Sequence, residues 1–162
     1  MSGQIMSIGR RGASRQAGSV TVEMAIIAPI LVLLLFGTIE MGLLFKDSLT
    51  LSQASREAVR VAAVGDTISD ITTRAKAAAP ALTSANITVT QQYRTYSGGT
   101  WSAWTTLANN AGGTANNAPS GSQIQVTLSY PHTLITGGFF SSLENPGTHV
   151  CTIKSSMVMM HE

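Results

Sequence analysis

Hydrophobic and polar residues follow three patterns along the chain, and each pattern predicts a different kind of structure. The first is an apolar run in which no residue from Met24 to Ile39 is charged, and apolar residues continue past Glu40 to Phe45. Because a helix rises about 1.5 Å per residue, Met24–Phe45 would extend roughly 33 Å, against about 30 Å of bilayer hydrocarbon. We therefore predict a transmembrane helix over residues 24–45, approximately.

The second pattern, apolar residues at spacings of three and four, predicts that the helix continues beyond the apolar run. In Asp47–Gly65 this stripe consists mostly of small residues, which suits close packing against a neighbouring element. The glycine at its end is a typical helix stop. We predict one long helix from about Val20 to Val64, kinked at Pro29, whose ring removes a backbone hydrogen bond.

A second, shorter helix is predicted directly after this stop. Thr67 with Asp70 three residues later resembles a capping pair, and Pro80 ends the helical pattern. The apolar stripe of this helix is Ile68, Ile71, Ala75 and Ala78.

The third pattern, strict alternation of apolar and polar residues, predicts strands in the rest of the chain. It occurs in Ile87–Tyr93, in Ile124–Tyr130 and in Val150–Met160. The polar stretch Tyr96–Gly121 lies between the first two strands, and we predict a short strand or hairpin in it around Trp101–Leu107. The predicted fold class is α+β: a long N-terminal transmembrane helix, followed by a small domain in which a helix packs on an antiparallel sheet.

The distribution of charge predicts the orientation of the chain and its division into segments. Arg10, Arg11 and Arg15 all precede the apolar run, so the positive-inside rule predicts a cytoplasmic N-terminus and places the rest of the chain on the other side of the membrane. A secretory signal peptide fits poorly, because the run is long and no A-x-A cleavage site appears before Lys46. The polar leader instead ends at Gly18, which predicts a leader at residues 1–18, a helix at 19–65 and a domain at 66–162.

Removal of that leader would change the net charge of the chain from basic to slightly acidic. The whole chain has ten Lys and Arg against eight Asp and Glu, a net charge of +2, but the leader carries three arginines and no acid. The remaining chain is slightly acidic. We therefore expect no nucleic-acid partner, since no basic stripe with interleaved aromatic residues occurs elsewhere.

The residues around Gly18 and Glu23 resemble a type IV prepilin cleavage site. Ser19 follows Gly18 directly, and Glu23 is the fifth residue after Gly18. With the flank VEMAIIAPILVLLLFGTIEMG and the later SQASREAVRVAAVG, the chain is similar to the TadE/TadG-like pseudopilins of the tight-adherence (Flp pilus) machinery, well over Arg15–Gly65 and only in general layout beyond it.

This resemblance implies a processing event and a set of partners. It implies cleavage between Gly18 and Ser19 by a prepilin peptidase, and methylation of the new N-terminus. The mature protein would serve as a minor pilin or assembly factor in surface adherence. Its partners would be the peptidase, other pilin subunits, the inner-membrane assembly platform and the membrane itself.

The physical chemistry of Glu23 supports a functional role independently of that resemblance. A carboxylate at the edge of an apolar segment is costly in lipid and tends to mark function. Cleavage would leave an ammonium group on Ser19, one helical turn away, and in a filament Glu23 could instead pair with the N-terminus of a neighbouring subunit. The alternative is an interfacial glutamate that the helix dipole favours. Glu40 is expected to extend to the membrane surface and to matter less.

Residues that could carry enzymatic chemistry are scarce. His132, His149 and His161 have no metal-ligand spacing with one another or with Cys151, the single cysteine. No nucleophile elbow, zinc-protease motif or phosphate-binding loop occurs. We expect no enzyme activity, no metal and no cofactor, and a buried, unreactive Cys151.

Two apolar features of the outer domain leave alternatives open. Trp101 and Trp104 could form a surface-binding platform or could close over the small core. Thr133–Phe140 could be a partner-binding patch or a loop folded over the sheet. Three hypotheses follow: a minor pilin, which we favour; a membrane-anchored binding module or adhesin that never enters a filament; and an anchored enzyme.

Overall fold

The computed structural model describes residues 13–136 and 145–162, with side chains from residue 18 onward. The chain divides into two compact units, Met1–Ile39 and Glu40–Glu162. The predicted leader lies mostly outside the described residues. The described elements are α1 (Ala13–Val64), α2 (Ile68–Ala77), a short 3-10 helix (Ser84–Asn86), β1 (Thr88–Arg94), β2 (Tyr96–Ser97), β3 (Thr100–Trp101), β4 (Thr105–Thr106), β5 (Gln123–Thr133) and β6 (Val150–Met160).

Helix α1 confirms the long helix predicted from the apolar run and its continuation. It ends at Val64, and Gly65 follows in the left-handed conformation (φ 103°), as expected for a glycine stop. It begins at Ala13, earlier than the expected start near Val20, and it continues through Pro29. Its Gly18–Val64 portion is long and apolar enough to cross a membrane.

The first unit exposes its apolar side chains. Every large apolar side chain from Val20 to Ile39 is exposed, and none of its most apolar stretch is buried. Full burial of one such side chain contributes about 1.5–3 kcal/mol, so this segment is unstable in water without a covering environment.

Helix α2 begins and ends where the sequence predicted. The Thr67 hydroxyl accepts a hydrogen bond from the backbone N–H of Asp70 and donates one to its carboxylate, which is a reciprocal cap at the N-terminus. Ile71 and Ala75 are buried, and Ile68 and Ala78 pack against the core, so the predicted stripe is confirmed.

The four-stranded sheet has the order β4-β1-β5-β6, and all its neighbours are antiparallel. The three predicted long strands are confirmed, and β6 has the predicted bounds. The short strand predicted around Trp101–Leu107 is present as β4, which pairs with β1. A hairpin also occurs, but it begins before the predicted range: β2 pairs with β3 as a separate two-stranded sheet, across a turn at Gly98 and Gly99, both with positive φ.

The core of the second unit joins the later part of α1, helix α2 and one face of the sheet. Ser55 of α1 also hydrogen-bonds Ser155 of β6, with 2.8 Å between the two hydroxyl oxygens. Cys151 on β6 is half-buried, so the expectation of a fully buried cysteine was wrong. The residues with no exposed surface that form the centre are Leu51, Ala54, Ala58, Ala62, Ile71, Ala75, Ala79, Ile124, Val126 and Leu128.

Candidate functional site

The predicted cleavage position lies on an exposed stretch of α1. Gly18, Ser19 and Glu23 are all exposed, and the Ser19 hydroxyl lies 3.4 Å from Oε1 of Glu23, one turn further along. The helix therefore brings these two side chains together, as the four-residue spacing predicted.

The local packing of the chain does not require a glycine at position 18. A β-carbon built on it would have no neighbour within 4 Å, and its backbone lies outside the left-handed region that favours glycine. Glycine in a helix interior costs about 0.5–1 kcal/mol relative to alanine. Something other than the fold of this chain must therefore account for a glycine at this position.

Pro29 lies inside α1, which is helical on both sides of it. The ring removes the backbone donor that would bond the carbonyl of Ala25. The kink that we expect at Pro29 stays a prediction.

The most enclosed polar cluster of the described chain surrounds Glu40, the first residue of the second unit. Its side chain is 1 % exposed. The backbone N–H groups of Ile135 and Thr136, which follow β5, donate to its oxygens at 3.0–3.2 Å. The Thr136 hydroxyl adds a further bond of 3.1 Å. These donors favour an ionised carboxylate, which accepts on both oxygens.

His132 joins Glu40 to a second carboxylate, Asp47. Its Nδ1 lies 2.7 Å from Oδ2 of Asp47 and its Nε2 lies 3.6 Å from Oε1 of Glu40. The ring is 7 % exposed and Asp47 is 8 % exposed. Nε2 has no hydrogen-bond partner among the described residues. We call Glu40, Asp47 and His132, together with the N–H groups of Ile135 and Thr136, the carboxylate clamp.

The carboxylate clamp corrects the expectation for Glu40. The sequence suggested that this side chain extends to the membrane surface, but it is buried against the end of β5. Glu40 and Thr136 are 96 positions apart, so no local pattern connects them. A signal was present in the spacing of Glu40 and Asp47, which puts two acids on one helical face two turns apart.

The clamp has the features of a structural lock. Both oxygens of Glu40 are engaged by donors, and Asp47 is additionally paired with the exposed ammonium group of Lys46, with 3.7 Å between Nζ and Oδ1. Among the described residues no group of His, Cys, Asp and Glu could hold a metal ion. The arrangement fixes α1, in the two turns from Glu40 to Asp47, to the end of β5.

Trp101 and Trp104 both lie close to the side chain of an arginine. The guanidinium carbon of Arg94 lies 5.1 Å from the centroid of the Trp101 ring and 4.5 Å from that of Trp104. Tyr96 tilts against Trp101 with 5.1 Å between their ring centroids. Neither tryptophan is part of the buried core, so these rings form a half-exposed cluster on the β2–β4 side of the domain.

Part of the predicted patch Thr133–Phe140 is described. Residues 137–140 lie outside the described residues. Ile135 is 65 % exposed although its backbone N–H bonds Glu40. The patch therefore begins at the same turn that closes the clamp.

The part of α1 that belongs to the second unit carries an exposed ion pair. Arg60 donates two hydrogen bonds to Glu57, at 3.1 Å and 3.0 Å. The hydrogen bond from Arg60 is the largest cause that lowers the pKa of the Glu57 carboxyl below its usual value, and the charges of Arg60 and Arg74 act in the same direction. The same contact raises the pKa of Arg60.

Comparison with known protein families identifies one segment of the chain. Residues 18–60 match the model of the TadE-like protein family. No curated protein and no solved structure matches the chain. The family match begins at the glycine of the predicted cleavage position and covers the exposed apolar helix, the clamp residues on α1 and the start of the buried stripe. The resemblance drawn from the sequence is confirmed for this segment.

Proposed function

We propose that the chain is a membrane-anchored minor pilin or pseudopilin of a tight-adherence (Flp) pilus, which acts in pilus assembly and surface adherence by packing its helix against other pilin subunits. The observation that carries this proposal is the TadE-like match at residues 18–60. The first part of that segment, from Val20 to Ile39, exposes all its large apolar side chains.

Membrane anchoring follows from the exposed apolar helix of the first unit. A helix that is apolar on all sides needs lipid or protein around it. The burial of Glu40 supports a span that ends near Ile39 rather than Phe45. We propose a cytoplasmic N-terminus and a periplasmic second unit, from the arginines before the span. Protease added to spheroplasts should digest the second unit; protection until the membrane is lysed would contradict this orientation.

Processing between Gly18 and Ser19 is the central test of the proposal. Gly18 and Gly42 both lie on exposed positions of α1, and a β-carbon at either would meet nothing within 4 Å. Gly18→Leu should therefore block cleavage by a prepilin peptidase, while Gly42→Leu should be cleaved normally. Intact mass and N-terminal sequencing, from cells with and without the peptidase, measure the outcome.

A mature wild-type chain that retains Met1, or that starts well past Ser19, would contradict the proposal. So would equal processing of the two glycine variants. Methylation of the new N-terminus should appear in the same mass spectrum as one added methyl group.

Glu23 is proposed to act in assembly rather than in insertion. Its exposed carboxylate can meet the Ser19 ammonium group of a neighbouring subunit, and an unpaired buried charge would cost about 3–5 kcal/mol. Glu23→Gln should insert and be cleaved, because an amide is cheaper in lipid than a carboxylate, yet it should co-purify poorly with sheared pili. Glu57→Gln, on the same helix, is the matched control. Normal incorporation of Glu23→Gln would mean that the charge has no role in assembly.

The proposed partners are the prepilin peptidase, other pilin subunits, the assembly platform and the membrane. No enzyme activity, cofactor or nucleic acid enters the proposal. A second candidate, an anchored binding module or adhesin outside the filament, is favoured by the cluster of Arg94, Tyr96, Trp101 and Trp104. If Trp104→Ala abolishes surface adherence in cells whose sheared pili lack the protein, the second candidate replaces the first.

A further inference from the structure

Strand β6 forms one edge of the four-stranded sheet. It is eleven residues long and pairs with β5 over its whole length, from Val150↔Thr133 to Met160↔Gln123. No other described strand pairs with its outer side. A long, straight edge of this kind exposes backbone groups that can pair with another strand.

The register shows which backbone groups point outward. Leu134 donates its N–H to the carbonyl of His149, and His161 donates its N–H to the carbonyl of Ser122. Because hydrogen-bonded pairs alternate along an antiparallel ladder, the odd-numbered residues of β6 bond β5. The even-numbered residues direct their N–H and C=O groups outward, and these are Thr152, Lys154, Ser156, Val158 and Met160.

The two edge strands of the sheet differ in length. The opposite edge is formed by β4, which has only two residues and pairs with Gln92 and Tyr93 of β1, and the N–H of Leu107 extends this pairing to the carbonyl of Gln91. On β6, Asn145 bonds the carbonyl of Val150 and the hydroxyl of Thr152 at the start of the strand. Just past its end, the N–H of Glu162 bonds the carbonyl of Ala63 on α1. Among the described residues, the uncovered part of the edge therefore lies between these contacts, from Lys154 to Met160.

The side chains along the open edge indicate what could pair with it. Lys154 is the one charged side chain of β6, and Val158 and Met160 are exposed by 46 % and 48 %. Opposite charges on directly paired residues of neighbouring strands stabilise the pairing. A matching strand would thus carry a carboxylate beside Lys154 and an apolar side chain beside Val158.

Pairing with a second copy of the chain is disfavoured by the same lysine. An antiparallel pair of β6 strands in their longest register centres on Ser155 and places the two Lys154 side chains at diagonal positions, where they repel. Lysine on an edge strand is a known obstacle to self-association. The occupant that fits is therefore a strand of different sequence.

We propose that the outer edge of β6 from Lys154 to Met160 binds an extended strand of another protein that carries Asp or Glu opposite Lys154. The interaction is backbone pairing at a sheet edge, with the lysine selecting the partner by charge. It does not depend on membrane anchoring or on pilus assembly.

The test uses the full chain in detergent micelles and two synthetic peptides. Both peptides alternate threonine and valine; one has a central aspartate and the other a central lysine. The aspartate peptide should slow amide hydrogen exchange at Lys154, Ser156 and Val158, and it should bind about threefold more tightly than the lysine peptide. Lys154→Glu should invert this preference. Lys76→Glu, a charge reversal on α2, should leave it unchanged.

A proline variant separates edge pairing from unspecific adsorption. Val158→Pro removes an outward N–H without touching the ladder to β5, so it should abolish the protection by the peptide while exchange in β5 stays as in the wild type. Three results would overturn the proposal: no protection of the outward N–H groups of Lys154, Ser156 and Val158 by either peptide, full protection of these N–H groups in the free chain, or protection of them that grows with the concentration of the chain alone. The last result would mean pairing between copies.

Discussion

The two segments of α1 have the same backbone conformation and opposite relations to their surroundings. From Val20 to Ile39 the large apolar side chains are all exposed. From Glu40 to Val64 a stripe of smaller residues, including Ala54 and Ala58, is fully buried against α2 and the sheet. Helical geometry is thus common to both, and the distribution of apolar residues around the axis separates them.

One glutamate from each segment, Glu23 and Glu40, shows the same contrast between exposure and burial. Glu23 is exposed and has one long contact to Ser19, whereas Glu40 is buried and accepts bonds from two backbone N–H groups and a hydroxyl. Glu23 is free to meet a group from another molecule, and Glu40 is fully engaged by its own chain. Burial therefore separates the two glutamates: Glu40 is held within the fold of the second unit, and the assembly role that we propose for Glu23 requires its carboxylate to be exposed.

The largest expected effect is the loss of the Glu40 charge. Glu40→Gln should lower the free energy of unfolding of the second unit by about 3–5 kcal/mol, because the ring of His132 and the N–H groups of Ile135 and Thr136 lose a buried charged acceptor. Urea unfolding in detergent, followed by tryptophan fluorescence, measures it. Glu23→Gln is the control and should keep the wild-type midpoint. Equal midpoints for both variants would remove the distinction between the two carboxylates.

A slightly smaller effect is expected from a cavity in the buried stripe. Leu51→Ala should lower the free energy of unfolding by about 3 kcal/mol, because Leu51 has no exposed surface and its removal leaves a void. Leu33→Ala deletes the same atoms from the exposed segment and should leave the unfolding of the second unit unchanged. The same urea titration compares the two variants, and a loss in the Leu33 variant would show that the segments are not independent.

The smallest effect concerns Glu57, a third carboxylate of α1. Because Arg60 lowers the pKa of Glu57, this group stabilises the folded state above its usual pKa of 4.5, and that contribution is lost as the pH falls through the lowered value. The stability difference between wild type and Glu57→Gln should thus be present near neutral pH and vanish in acid. It should also shrink in high salt, since the pair is exposed. A difference that increases toward low pH would contradict this account.

Local patterns predicted most of the fold. The capping of α2 by Thr67, the stop at Gly65 and the bounds of β6 each depend on a few neighbouring residues. The short strand expected around Trp101–Leu107 is present as β4, whereas the β2–β3 hairpin begins earlier, because Gly98 and Gly99 admit a tight turn in a polar stretch without strong alternation. Cys151 was expected to be buried, but it lies on an edge strand, whose inner face has a neighbour on one side only.

The carboxylate clamp could not be predicted in the same way. Its members lie on α1 and at the end of β5, and their contact depends on how the helix packs on the sheet. Periodicity places Glu40 and Asp47 on one face of a helix, but it does not identify the loop that reaches them. The Ser19–Glu23 contact was predictable because a single helical turn sets it.

The hydrogen bond between Ser55 and Ser155 has a consequence for how the protein is made. It joins positions 100 residues apart, and the Asp47–His132 contact joins positions 85 apart. Contacts of such long range close slowly, because the intervening chain must be ordered first. During synthesis the apolar segment can enter the membrane well before β6 exists. Until then the stripe around Leu51 is uncovered and prone to aggregation. The second unit of an anchored chain would thus complete its fold only after β6 has been synthesised.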